Sequence, residues 1–124
     1  MNVNERIARA LGWLPYRQAN PQIDWASMPD YSAGWGWQSP EGKREAFVPD
    51  YAHSLDACLP VLADLREKGW QVSLWSSRSA WHVAMLNPKF PKLNPNAEAD
   101  DLAAALAECI AEALVLAGKE AQGD

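Results

Sequence analysis

The sequence predicts an α+β fold: an antiparallel sheet of about four strands with helices packed on it as a sandwich. Three observations carry that expectation. Apolar residues recur at helical spacing near the start, in the middle and at the end of the chain. Segments of alternating polarity, each broken by a turn, lie between them. The 124 residues, 48% hydrophobic and 22% charged, suit one domain over 1–124. A chain of that length buries about two thirds of its unfolded surface, enough to fold without a disulfide or a metal.

The first helix is read from "NVNERIARALGWLP". Asn2 caps it, and Glu5 stands three residues later in capping-box position. Val3, Ile7, Ala10, Leu11 and Leu14 follow helical spacing, and Gly12 and Pro15 bring it to an end. Residues 15–33 hold three prolines without a period, so a long loop pinned by Tyr16, Ile23, Trp25 and Tyr31 is expected. Residues 34–38 and 45–48 are candidate strands joined by the turn "SPEGKR".

The second helix lies in "DYAHSLDACLPVLADLREKG", with Ser54 as N-cap, Asp56 in the first turn and Gly69 as the stop. Leu55, Cys58, Leu59, Leu62 and Leu65 are expected to form its apolar stripe, and Pro60 to bend it or make its first turn irregular. The clearest hairpin is "WQVSLWSSRSAWHVAML". Trp70, Val72 and Leu74 share one face, and Trp81, Val83 and Met85 share one after the turn. "NPKFPKLNPN", residues 87–96, reads as an extended connector. Residues 97–118 read as a third helix, with Leu102, Leu106, Cys109, Ile110, Ala113 and Ala117 on one face and Gly118 as its cap.

Three stretches, "PDYAHSLDACLPVLADLREKGWQVSL", "WHVAML" and "DDLAAALAECIAEALVLA", together with the opening "IARALGW", resemble the phage ABA sandwich domain family of small phage and prophage proteins. The resemblance covers residues 3–14 and 50–117 and rests on packing patterns. Pro60 and the 87–96 connector depart from it. It implies an α/β/α sandwich and a phage or prophage origin. It implies no established enzyme activity, so it assigns no catalytic residue.

The formal charge of −5 argues against an extended nucleic-acid surface, though not against a local basic pocket. Cys58 and Cys109 sit at apolar helix positions, as small buried hydrophobes do in a reducing compartment; a disulfide is the alternative. No apolar run approaches the roughly 20 residues of a membrane helix, and the polar N-terminus does not read as a secretory signal. A cytoplasmic protein is expected.

Catalytic patterns are thin. Ser76, Ser77 and Ser79 stand near His82, but without a Gly-x-Ser-x-Gly elbow, and serines suit a hairpin turn. Asp50, His53 and Asp56 recur every third residue, yet no Cys-x-x-Cys or His-x-x-x-His pair accompanies them. "GWGWQS" lacks the last glycine of a dinucleotide fingerprint. No enzyme, cofactor or metal is expected.

The informative surplus is seven tryptophans. Trp35 and Trp37 share a face if 34–38 is a strand. Trp75 and His82 lie on the mixed face of the later hairpin, and Lys43, Arg44 and Arg78 occupy the two turns. Rings for stacking and cations for phosphate are what a small nucleotide needs. Trp35, Trp37, Lys43, Arg44, Trp75, Arg78 and His82 are therefore the candidate ligand residues. The competing account makes the rings core and the cations solvated turns. A second function class is a protein-binding module anchored by the aromatics, and the alanine-faced last helix offers a route to a homo-oligomer.

Overall fold

Both of the first two helices end at a Gly-Trp pair, for the same backbone reason. In the computed structural model, which describes residues 2–17 and 35–122 (side chains 16, 17, 35, 117 and 119–122 excepted), α1 is Val3–Ala10 and α2 is Leu55–Glu67. After α1, Gly12 N–H donates to Arg9 and Trp13 N–H to Ala8; after α2, Gly69 N–H donates to Arg66 and Trp70 N–H to Leu65. This is the Schellman pattern, with the glycine in the left-handed region. Gly69 has φ +101°, and an added Cβ would lie 3.2 Å from Asn87 Oδ1.

The N-caps form as read. Asn2 Oδ1 accepts from Glu5 N–H at 2.9 Å and Ser54 Oγ from Ala57 N–H at 3.2 Å. α1 is shorter than expected, because Leu14 begins β1, Leu14–Arg17, in what read as helix end and loop. The rest of the expected 15–33 loop lies outside the described residues. β1 pairs antiparallel with β2, Trp35–Gln38, which pairs with β3, Arg44–Glu45. The candidate strand at 45–48 is thus displaced toward the turn. Gly36 permits this sheet: a Cβ there would stand 2.9 Å from the Glu45 carbonyl oxygen of β3.

α2 continues through Pro60. Proline has no N–H for the Asp56 carbonyl, and both residues lie on the exposed side of the helix. Its buried residues are Cys58, Val61 and Leu65. Leu55 and Leu59 are exposed instead, about 100° round the helix from that stripe.

The second sheet has order β4-β5-β6: Gln71–Ser76, Trp81–Leu86 and Asn96–Ala99. β6 corrects the sequence reading, which placed residues 97–99 in the last helix. Pairing with β5 overrides the helical propensity of Ala97, Glu98 and Ala99 and draws in Asn96 from the connector. The helix itself, α3, is Leu102–Gln122 and runs through Gly118 rather than stopping there. Among the described residues, six strands in two three-stranded antiparallel sheets, with three helices, make the α+β class as expected, with the strands divided rather than gathered in one sheet of about four.

α3 is the hub. It packs on β5 and β6, and on α1 and α2. Ala103, Ala105, Leu106, Ala107, Cys109, Ile110, Ala111 and Ala113 are all buried, on more than the single face expected. A helix with partners on several sides is apolar nearly all round, and alanines let them approach. Ile7, Val61, Leu65, Trp70, Val83 and Met85 close the same core. Trp70 stacks on Phe90 from the 87–96 connector, 6.2 Å between centroids. No helix among the described residues is long and apolar enough to cross a membrane.

Candidate functional site

The core-facing side of β5 presents Val83 and Met85, both fully buried. The strand period therefore turns His82, Ala84 and Leu86 to the opposite side, where none is fully covered. Trp75 of β4 is directly opposite His82. The two rings stack with 8° between planes and 5.3 Å between centroids. Trp75 is half exposed, and Leu86 is exposed on the same face. A cleft of about 450 Å³ lies there, lined by Trp75, His82, Ala84, Asn94, Asn96 and Glu98 among others.

Both imidazole nitrogens of His82 are engaged. Nε2 is 3.1 Å from Ser77 Oγ, and Nδ1 is 3.3 Å from Glu98 Oε2. Glu98 escaped the sequence reading because residue 98 was assigned to a helix; its β6 register, opposite His82, is what brings it here. Ser77 closes the hairpin turn, its N–H and hydroxyl both directed at the Ala80 carbonyl. Arg78 is exposed at the tip of that turn, with no hydrogen bond or ion pair to the described residues.

Serine, histidine and carboxylate in this order match a nucleophile, a base and its orienting group. Such a relay also needs donors fixed where an oxyanion develops and walls that exclude water. Here the Ser77 hydroxyl is exposed and shared with the Ala80 carbonyl, and the Glu98 carboxyl is 69% exposed. The arrangement instead orients His82 flat beneath Trp75.

The other candidate residues belong to the first sheet. Trp37 is partly buried, and the cation above its ring is Arg9 of α1, 5.5 Å from the centroid. Arg9 was absent from the sequence candidates; nothing local links it to Trp37, which stands on β2 and meets this α1 side chain only in the folded chain. Lys43 and Arg44 are exposed, and the Trp35 side chain is among those not described. Trp37 and Arg9 line a groove of about 690 Å³ with Glu5, Pro15, Ala46 and Phe47, and Phe47 is 84% exposed. It adjoins a cleft reaching Asn4, Asp50 and His53. Six of the seven sequence candidates thus fall on two separate sheets rather than in one place: Trp75, Arg78 and His82 in the β4–β5 hairpin, and Trp37, Lys43 and Arg44 on β2, the turn after it and β3.

Asp50 and His53 pair at 2.9 Å, and Asn4 donates to Asp50 at 3.0 Å. The hydrogen bond that His53 Nδ1–H donates to Asp50 holds His53 above the ordinary histidine range; the bonds Asp50 accepts from His53 and Asn4 hold it below the ordinary carboxylate range. Asp56 does not join them, and no group of three or more potential metal ligands occurs among the described residues. Both cysteines are free and buried, their thiols donating to the Tyr51 and Pro95 carbonyls. Burial pushes the Cys58 thiol to about 11 and the Cys109 thiol to about 12.

Of the five indoles whose surroundings are described, only Trp70 is buried; Trp13 and Trp37 are intermediate, and Trp75 and Trp81 are exposed. Comparison with protein-family models, with curated proteins and with solved structures finds no match to this chain.

Proposed function

We propose that the protein acts by binding rather than by catalysis, and that the open face of β4-β5-β6 around Trp75 and His82 receives a small planar anion of the nucleotide class. The observation that carries the reading is the parallel Trp75–His82 stack, half open to solvent beside a cleft of ligand size. A flat base adds to such a stack at about 1–3 kcal/mol per base. Glu98 already stands 3.3 Å from His82 Nδ1, which leaves Arg78 as the cation for a phosphate. Lys43, Arg44 and Trp37 fall outside this site. With the resemblance to phage ABA sandwich domains, the reading becomes a phage or prophage accessory protein, in the host cytoplasm, that sequesters a nucleotide signal of host defence.

Tryptophan fluorescence tests it. Titration with a nucleotide panel quenches the wild type, whereas Trp75→Phe removes that component and Arg78→Ala weakens the apparent affinity. No quenching at millimolar nucleotide sinks the proposal.

One observation favours a second reading, a protein-binding module that inhibits or adapts a host or phage protein. Phe47 stands almost fully exposed over the Trp37–Arg9 groove. Aromatic anchors beside a groove are how protein partners are gripped. Loss of partner capture on Phe47→Ala, with nucleotide binding absent, selects this reading.

A further inference from the structure

β4 is the edge of its sheet, and its outer rim is open among the described residues. The Met85 N–H bonds the Pro95 carbonyl on the β6 side. In an antiparallel ladder the bonds of one residue point to one neighbour only. Val83 and Trp81 follow Met85 toward β6, so His82, Ala84 and Leu86 bond β4 through Trp75, Ser73 and Gln71. The remaining β4 residues, Val72, Leu74 and Ser76, turn their N–H and C=O groups outward. Their side chains lie on the helix side of the sheet, where Leu74 is 50% exposed. A groove of about 850 Å³ separates β4 from α2 there, lined by Leu62, Ala63, Arg66, Glu67, Val72 and Leu74 among others.

Exposed edges are normally blunted by charge, proline or a bulge. The six residues of β4, QVSLWS, contain no charge and no proline. We propose that this edge pairs with a second copy of itself, making one six-stranded antiparallel sheet across a two-fold axis. The inference stands apart from the ligand reading. It commits to a second copy because the strand is complementary to itself.

A two-fold axis normal to the sheet keeps each face on its own side, so paired residues must share parity. The register that uses all three outward residues sets Leu74 against Leu74 and Val72 against Ser76. On the opposite face it sets the Trp75 indole against the small Ser73 of the other copy. No like charges meet along the strand. The α2 rim carries one charge of each sign, Arg66 and Glu67, so the grooves do not repel as a pair.

Sedimentation velocity on the intact chain and its variants is the test. The wild type is a dimer. Leu74→Lys sets two cations face to face across the axis and raises the dissociation constant at least about tenfold. Leu74→Glu does the same, and mixing the two variants restores a dimer, which only direct 74–74 pairing explains. As a check independent of these charges, Leu74→Cys forms an interchain disulfide on mild oxidation, because paired Cα atoms stand about 5.5 Å apart. Ser73→Cys, which faces Trp75 instead, does not. A monomeric wild type at its highest soluble concentration overturns the inference. So does a dimer that Leu74→Lys leaves intact and Leu74→Cys fails to cross-link.

Discussion

Trp75 and His82, opposite each other on β4 and β5, stack at 5.3 Å on a sheet face left open by the described elements. Trp70, five residues before Trp75, is sealed between the core and Phe90. One hairpin therefore carries an indole that builds the fold and another available for recognition.

The two indoles differ in what their removal costs. Trp70→Ala destabilises by about 3–5 kcal/mol through the cavity it leaves. Trp75→Ala costs under about 2 kcal/mol, because half of its surface is already solvated. Chemical denaturation of both variants checks this; equal losses would place Trp75 in the core.

Arg78→Ala leaves the midpoint of thermal unfolding unchanged, since Arg78 is exposed and makes no hydrogen bond or ion pair to the described residues. Nucleotide affinity falls about tenfold or more, the scale of a charge-assisted hydrogen bond to phosphate. The same change at Lys43 leaves affinity as it was. Equal effects at both positions would require one continuous pocket, against the separation of the two sheets.

Gly69→Ala destabilises by about 1–3 kcal/mol. The residue sits at φ +101° with Asn87 against the place a Cβ would take. Asn87 is buried, donating to the Lys68 carbonyl and accepting from Lys89 N–H, so it has little freedom to retreat. Urea denaturation reads the loss; a neutral substitution would mean that the α2 terminus unwinds freely.

The Asp50–His53 pair responds to pH in a defined direction. His53 is raised above 6.5, so its contribution is complete below that value and is lost as pH rises through its folded pKa. Asp50 is lowered below 3.8, so its contribution is complete above that value and is lost as pH falls through its folded pKa. Both act together between about pH 4 and 6.5. NMR titration of the His53 ring finds a raised midpoint, and Asp50→Asn returns it toward 6.5. The pair is exposed, so added salt weakens the shift.

The thiols stay silent in the folded protein. With Cys58 near 11 and Cys109 near 12, almost no thiolate exists at neutral pH, and neither sulfur is accessible. A soluble disulfide reagent labels them at the rate of unfolding. Prompt labelling of either would show an opening of the core at α2 or α3. A fluorophosphonate, in parallel, leaves Ser77 unmodified; its capture there would convert the His82–Glu98 contacts into a working relay.

Local signals in the chain were legible where their causes are local. Asn2 and Ser54 cap helices through atoms three residues away, Gly12 and Gly69 end them through their own φ, and the Trp75–His82 pair follows from the period and turn of one hairpin. The α+β class rests on such features, summed. What escaped was settled at a distance. Leu14–Arg17 and Asn96–Ala99 have weak or contrary propensities and become strands because a partner strand satisfies their backbone groups. Leu55 and Leu59 share the apolarity of Cys58 and Leu65, yet only the position of α3 decides which face of α2 is covered. Arg9 reaches Trp37, and Glu98 reaches His82, across intervals that no periodicity spans. Short-range hydrogen bonds and dihedral preferences are written in neighbouring residues; burial, edge pairing and the company a side chain keeps belong to the packed whole.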